Sequence, residues 1–365
     1  EGRLFLLKGR GGKRAPRFLR ARPVEGISGS MYPCPEAVDW DNDGRFDILL
    51  GDRDGMLRLF MNSGDVGRPE FTEGRPLRDA AGEPLDVGRL SHPHVTDWNG
   101  DGSKDLIVGN DDGDVLVWWN TATDSAPSFG QVERLRDGGG ELVCGVHPVV
   151  DIVDWNGDGK LDILAGGETE RVRLYVNTGT AREPGFDSFT FLPGVTYTAE
   201  ALCSPGGGEQ RHWASSALEF TTEYVGNLAP EAVDWDDDGN LDLLLGGYTG
   251  LVYLYLRKEG GELGKGEPLR TEDGALLHVA GFSTPRAVDW NGNGENDLVC
   301  GDFLGRVHVF LNVGTNASPR LKPGERLRVA GREFAFGPRA MVEVADWNGD
   351  GRKDVLLGNR AGKLV

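Results

Sequence analysis

The nonapeptide DWDNDGRFD at positions 39–47 decides the fold, because its pattern occurs six times in the chain. The pattern is D-W-[DN]-x-[DN]-G-x-x-D, with oxygen-bearing side chains at positions 1, 3, 5 and 9 and glycine at position 6. The glycine permits the sharp backbone turn that brings the other positions together. Alternating carboxylate and amide oxygens around such a turn predict a site for Ca²⁺, a hard cation that takes six to eight oxygen ligands.

These loops differ from an EF-hand, which needs a glutamate at position 12 between two helices. Position 12 is apolar in loop one, Leu50, and in loop two, Val108, and each loop runs directly into a strand-like segment. The alternative of acidic turns without metal stays open, because Asp, Asn and Gly dominate ordinary turns. We therefore predict about six structural Ca²⁺ sites, with these ligands: Asp39, Asp41, Asp43, Asp47; Asp97, Asn99, Asp101, Asp105; Asp154, Asn156, Asp158, Asp162; Asp234, Asp236, Asp238, Asp242; Asp289, Asn291, Asn293, Asp297; Asp346, Asn348, Asp350, Asp354.

The spacing of the loops indicates a repeat architecture. Successive first aspartates lie 58, 57, 80, 55 and 57 residues apart, and a period of this length with strand-like content is typical of a propeller. The sequence predicts an all-β fold, a single β-propeller domain over 1–365 with six blades, or seven as the alternative. The long interval predicts an insertion at about 193–227. An N-terminal strand within residues 2–7 is expected to complete the C-terminal blade and close the ring.

The loops, together with LLGG at 244–247 and YVNTGT at 175–180, resemble FG-GAP or VCBS-type repeats. This resemblance covers nearly the whole chain and implies a calcium-loop propeller. It leaves the function open, because such propellers include adhesion modules, lectin-like binders and secreted polysaccharide lyases. The tryptophan at position 2 of every loop repeats with the blades and is predicted to pack between them.

Three residues before each loop, the predicted innermost strand carries a polar residue that differs from blade to blade. Strand alternation would direct these side chains toward the central channel. The ring is predicted to bind substrate or, as the alternative, to hold only water and ion pairs that close the channel. Its members are Glu36, His94, Asp151, Glu231, Arg286 and Glu343.

Other unlike residues are expected on the face opposite the calcium loops. His92, Tyr32, His147, Phe282 and Arg339 lie earlier on the innermost strands, on the same side as the ring. Turns between second and third strands and the insertion should reach the same face. They would bring Arg53, Tyr248, Phe303, His212 and Trp213.

The first functional hypothesis is a carbohydrate-active enzyme that acts on uronic-acid-containing glycans. In a lyase, Arg286 or Arg339 would neutralise the uronate, His94 or His147 would be the base, and Tyr32 or His92 the acid. A glycosidase would instead pair carboxylates such as Glu36 and Glu231. The second hypothesis is a non-catalytic, calcium-stabilised module that binds a glycan or protein. The predicted substrate-binding residues are Glu36, Asp151, Glu231, Glu343, Arg339, His212, Trp213, Tyr248 and Arg53.

Composition narrows the partners and the location. The formal charge is −19 without a basic stripe, so nucleic acid is not an expected partner. No apolar run approaches membrane-spanning length. Acidic loops of this kind suit millimolar extracellular calcium, which predicts a secreted or periplasmic protein. Cys34 and Cys300 are predicted to be buried thiols, and a disulfide between Cys144 and Cys203 stays open.

Overall fold

The structure is a computed structural model in which all described regular elements are strands. It describes residues 5–7, 9–10, 17–18, 22–23, 27, 34–65, 69–89, 91–137, 140–141, 149–167, 171–195, 227–329, 332–333, 335, 341–347 and 349–358. The first strands are β1 (Phe5–Leu7), β2 (Gly9–Arg10), β3 (Arg17–Phe18), β4 (Arg22–Pro23), β5 (Cys34–Val38), β6 (Asp47–Gly51), β7 (Arg58–Phe60), β8 (Arg75–Pro76), β9 (His92–Thr96), β10 (Asp105–Gly109), β11 (Val115–Trp118), β12 (Glu133–Arg134), β13 (Arg136–Asp137) and β14 (Gly140–Glu141).

The remaining strands continue the same pattern of a long inner pair followed by shorter outer strands. They are β15 (Val150–Val153), β16 (Asp162–Ala165), β17 (Arg173–Tyr175), β18 (Phe189–Phe191), β19 (Ala229–Val233), β20 (Asp242–Gly246), β21 (Tyr253–Tyr255), β22 (Glu267–Pro268), β23 (Thr284–Val288), β24 (Asp297–Gly301), β25 (Val307–Phe310), β26 (Glu325–Arg326), β27 (Arg328–Val329), β28 (Arg332–Glu333), β29 (Met341–Ala345) and β30 (Asp354–Gly358).

The fold is an all-β propeller, with five blades that each consist of four consecutive antiparallel strands. They are blade one (β5–β8), blade two (β9–β12), blade three (β15–β18), blade four (β19–β22) and blade five (β23–β26). The predicted count of six, and the alternative of seven, are corrected to five. The count failed because each loop marks only an inner hairpin, and the sixth inner hairpin is extended by strands from the other end of the chain.

The sixth loop belongs instead to a sheet of mixed origin, which we call the mixed sheet. Its strand order is β29-β30-β1-β4, so strands from both ends of the chain lie side by side. Strand β1 pairs antiparallel with β30, with Leu6 opposite Leu356. A further sheet, β2-β3-β27-β28, also combines early and late strands.

The calcium-type loop joins the first two strands of every blade in one register. The first strand ends one residue before position 1, and the second begins at position 9. The residue three before each loop therefore always faces the third residue of the second strand. These pairs are Glu36–Leu49, His94–Ile107, Asp151–Leu164, Glu231–Leu244, Arg286–Val299 and Glu343–Leu356.

The core lies between blades, and the loop tryptophans form much of it. The second strand of each blade is fully buried, as in β6 and β20. Each loop tryptophan belongs to a core cluster that includes residues of the next sheet along the chain, as its repetition in the sequence predicts. These shared clusters join Trp40 and Leu106, Trp98 and Ile163, Trp155 and Leu243, Trp235 and Leu298, Trp290 and Val355, and Trp347 and Ile48.

Candidate functional site

The ring positions predicted from the loops converge on a small central cavity of about 90 Å³. Glu36, His94, Arg286 and Glu343 line it directly. Asp151 and Glu231 occupy the same register on their own inner strands. The six positions share one register because the loop length is constant and the strand register follows from it.

The ring carboxylates also hold neighbouring inner strands together. Glu231 accepts hydrogen bonds from the backbone N–H of Ala287 in the next blade, at 3.0 and 3.2 Å from its two oxygens. Asp151 Oδ2 likewise accepts the N–H of Ala232 at 2.7 Å. Glu36 accepts a backbone hydrogen bond from Val95. In three blades, therefore, the ring side chain braces the strand that follows it.

The electrostatics of the ring are dominated by four carboxylates around one guanidinium. Burial alone would lower the pKa of Arg286, but the charges of Glu231, Glu343, Asp151 and Glu36 raise it overall. Burial raises the pKa of Glu231 to about 8, although Arg286 opposes the rise. Burial raises the pKa of Glu36 and of Glu343 to about 7. The surrounding carboxylates therefore keep the Arg286 guanidinium in its charged form.

The histidines on blade two have different surroundings. Burial lowers the pKa of His94, which keeps its imidazole neutral near pH 7, and its Nδ1 lies 3.8 Å from Glu36 Oε1. His92 also lines the cavity, and a ring nitrogen lies 3.6 Å from Cys34 Sγ. Burial raises the pKa of Cys34 to about 12, so this thiol stays protonated and is a poor nucleophile. Cys34 and Cys300 are both buried and free, as predicted.

The size of the cavity limits its chemistry. Its volume of about 90 Å³ is below the range of about 300–1,000 Å³ that is usual for ligand pockets. The arrangement can hold water and share protons between carboxylates.

An aromatic cluster lies at the end of the inner strands opposite the calcium loops. The ring centroids of Tyr248 and Phe282 are 4.9 Å apart, and those of Phe282 and Phe303 are 5.2 Å apart. The sequence predicts Tyr248 as a substrate-binding residue. It places Phe282 and Phe303 on the same face without predicting that they bind substrate. The signal that identifies them is their contact with one another, which the sequence does not contain.

Several predicted site residues lie away from the inner strands or outside the described residues. Arg53 lies in the turn between β6 and β7. Outside the described residues lie Tyr32, His147, Arg339, His212, Trp213 and, among the loop ligands, Asn348. Residues 196–226, most of the predicted insertion, and the cysteines at 144 and 203 are also outside them.

The loops are preorganised by their own hydrogen bonds. The position-1 carboxylate of Asp39 accepts the N–H groups of Asp43 at 3.0 Å and Gly44 at 2.9 Å. The position-9 carboxylate of Asp47 is buried and accepts the N–H groups of Trp40 at 2.9 Å and Asn62 at 2.7 Å. Equivalent position-1 and position-9 hydrogen bonds occur in loops two to five.

Loops one and four have the geometry that best suits a cation. In loop one, carboxylate oxygens of Asp39, Asp41 and Asp43 lie within 4.8 Å of one another. In loop four, the same is true of Asp234, Asp236 and Asp242. Each loop contains a buried position-3 oxygen without a hydrogen-bond partner, namely Asp41 Oδ1 and Asp236 Oδ1. Buried unpaired carboxylate oxygens are costly, and a bound cation would satisfy them.

Loop five has a different arrangement. Asn291 Nδ2, at position 3, donates a hydrogen bond to the position-9 carboxylate of Asp297 at 2.8 Å. The backbone N–H of Asn291 reaches the same oxygen at 3.2 Å. The amide thus supplies positive charge density to the buried carboxylate from within the loop.

Comparisons with known proteins agree with this fold. The FG-GAP-like repeat family matches residues 289–357. A structure of an Agrocybe aegerita lectin that recognises non-reducing terminal N-acetylglucosamine is 18% identical, with a TM-score of 0.52, over 99% of this chain and 87% of the lectin. The Photorhabdus luminescens Tc holotoxin pore is 16% identical (TM-score 0.42) over 98% of this chain and 17% of its own. The Myceliophteria thermophila Cps50 (Swd1) β-propeller domain is 15% identical (TM-score 0.39), over 82% and 73%. No curated protein matches the chain.

Proposed function

We infer that this FG-GAP-type β-propeller is a non-catalytic glycan-binding module. It would bind through the face opposite its calcium-type loops. The observation that carries this proposal is the set of unlike residues at equivalent turns on that face, above all the exposed Phe303, which stacks on Phe282. Positions that differ between otherwise matching repeats are not needed for the fold itself, and surface loops often carry binding residues. The lectin with the same fold is compatible with this role.

The geometry favours binding over the lyase hypothesis. A lyase needs a positive charge that is free to neutralise the uronate, but Arg286 interacts with four carboxylates. The cavity of about 90 Å³ that Arg286 lines is smaller than a usual ligand pocket. We propose that the ring is structural and that its carboxylates brace neighbouring inner strands. Elimination and hydrolysis are retained as outcomes of the experiment below.

We further propose that Ca²⁺ binds the loops and staples each inner hairpin. The support is the donor set itself, which consists of hard oxygens around a glycine turn. The buried, unpartnered Asp41 Oδ1 and Asp236 Oδ1 support it independently. The ion would supply positive charge among the loop carboxylates, and the surrounding backbone N–H groups already hold those carboxylates in place.

The mixed sheet is proposed to close the ring between blade five and blade one. Trp290 of blade five packs with Val355 and Leu357 of this sheet, and Trp347 of this sheet packs with Ile48 and Phe60 of blade one. Leu6→Pro would remove a backbone donor from β1, where it pairs with β30. The melting temperature of this variant should fall by several degrees, and an unchanged value would contradict closure.

We propose a secreted or periplasmic location, because loops of this kind need millimolar calcium. No helix among the described residues is both long and apolar enough to cross a membrane. Glycan is proposed as the partner, and the uronic-acid class predicted from the sequence is tested beside neutral glycans.

The experiment is retention of the purified protein on immobilised neutral and uronic-acid polysaccharides, with and without Ca²⁺. Ultraviolet absorbance of unsaturated uronide and newly formed reducing ends are followed in parallel. Calcium-dependent retention with neither product supports a binding module. A rise in absorbance would establish elimination, and new reducing ends alone would establish hydrolysis. Retention on none of the polysaccharides would refute glycan binding.

A further inference from the structure

One turn position distinguishes blades four and five from blades one and two. In the turn between the second and third strands, the second residue is Arg53 in blade one and Asp111 in blade two. The same position holds Tyr248 in blade four and Phe303 in blade five. Because the backbone forms this turn equally with charged residues, the fold does not require an aromatic side chain there.

These two aromatics join a third from the start of an inner strand. Phe282 lies between them, edge-on to Tyr248 with an interplanar angle of 75° and stacked on Phe303 at 27°. We call Tyr248, Phe282 and Phe303 the aromatic platform. Phe303 is 37% exposed and its neighbour Leu304 is 38% exposed. Phe282 stands two residues before Thr284, which lines the central cavity, so the platform is at the edge of the channel.

The backbone at Phe282 is a second, independent observation. Its φ is 45°, in the left-handed region that aromatic residues seldom adopt. The equivalent residue before the inner strand of blade four, Asn227, has a φ of 58°. Asparagine tolerates this conformation because its short side chain bonds locally. Blade five therefore carries a phenylalanine against the local backbone preference, which indicates that its aromatic side chain is needed there.

The surroundings indicate the kind of ligand. The face of an aromatic ring is electron-rich, and the C–H bonds on one side of a pyranose offer it a flat, weakly positive surface. Thr249 follows Tyr248 in the same turn, and its hydroxyl accepts a hydrogen bond from the backbone N–H of Leu251 at 3.4 Å. The formal charge of −19 disfavours a polyanion.

We propose that the aromatic platform is a stacking subsite for a neutral pyranose, which deepens the proposed glycan-binding function and rests on it. The sugar would lie against the exposed face of Phe303, and Phe282 would hold that ring in place. Uronic-acid chains would bind more weakly, because the protein as a whole carries a formal charge of −19.

The test is calorimetric titration of the full chain with cellohexaose, chitohexaose and hexagalacturonate at constant Ca²⁺. Phe303→Arg and Tyr248→Arg introduce the residue that blade one carries at this position, so the turn is retained. Each should weaken binding of the neutral hexamer by about tenfold or more. A tenfold loss of affinity is the change expected when one contact between the protein and the sugar is lost. Phe191→Ala removes a ring that is 40% exposed on the outer strand β18 and should leave binding unchanged.

The outcomes separate the subsite from the function. Loss of neutral-sugar binding in the arginine variants, with melting temperatures near that of the parent, supports the platform. Equal binding by Phe303→Arg and the parent overturns the platform and leaves glycan binding intact. A preference for hexagalacturonate overturns the neutral class. Absence of binding to every probe by the parent protein refutes the proposed function as well, and would leave the platform as a surface for another macromolecule.

Discussion

Replacement of Glu231 by glutamine should change how the stability of the protein depends on pH. Glu231 is buried beside Arg286 and has a pKa raised to about 8, compared with an ordinary value of 4.5. Its carboxyl group is therefore protonated in the folded state at pH values at which it is ionised in the unfolded chain. Glutamine keeps an oxygen that can accept the N–H of Ala287 and removes the proton equilibrium.

The sign follows from linkage. Below pH 4.5 the group is protonated in both states and contributes no pH dependence. As the pH rises toward 8, ionisation of the unfolded chain increasingly favours unfolding, so the wild-type protein loses stability relative to the variant. For pKa values of 4.5 and about 8, the difference in unfolding free energy between the two proteins grows by roughly 3–4 kcal/mol from pH 5 to pH 8.

The assay is equilibrium urea unfolding of both proteins at pH 5, 6, 7 and 8, with Ca²⁺ fixed. A comparison of two proteins at each pH cancels the contributions of the loop aspartates. Glu267→Gln is the control, because its side chain is 72% exposed and its removal should shift the curve little. Parallel pH profiles for wild type and Glu231→Gln would refute the assignment of a buried, protonated carboxyl at this ring position.

Three other expectations concern the loops and the core. Asp236→Asn should reduce the number of tightly bound Ca²⁺ ions by one in a chelator competition, whereas Asn291→Ala should remove none, because the loop-five amide already bonds Asp297. Trp235→Ala should cost about 3–5 kcal/mol in denaturant unfolding, since the indole is fully buried between blades. Gly55→Ala should lower the yield of folded protein sharply, because the new Cβ would lie 1.5 Å from the carbonyl oxygen of Gly88; a normal melting curve would contradict this.

Sequence spacing predicted the propeller and the ring because both depend on local rules. A loop of constant length fixes the register, and the register fixes which side chains face the channel. It failed on the number of blades made of four consecutive strands, because β1 pairs with β30 across almost the full length of the chain and β4 pairs with β1.

The candidate site was predictable to a smaller extent. Glu231 and Asp151 were identified as ring members, but their hydrogen bonds to backbone N–H groups of the next blade depend on interatomic distances. Phe282 was found on the correct face, yet its left-handed backbone and its stacking on Phe303 are tertiary properties. The hydrogen bond from Asn291 to Asp297 in loop five likewise depends on interatomic distances.

The way each loop tryptophan enters the following blade has an evolutionary consequence. Every blade presents its loop tryptophan on one side. On the other side it presents an apolar surface for the tryptophan of the preceding blade, as Trp98 and Ile163 illustrate. Recombination that duplicates or exchanges a whole repeat therefore preserves a compatible boundary on both sides. Sequence can then diverge in the turns without disturbing that boundary, which allows one copy to acquire a specialised surface while its neighbours remain generic.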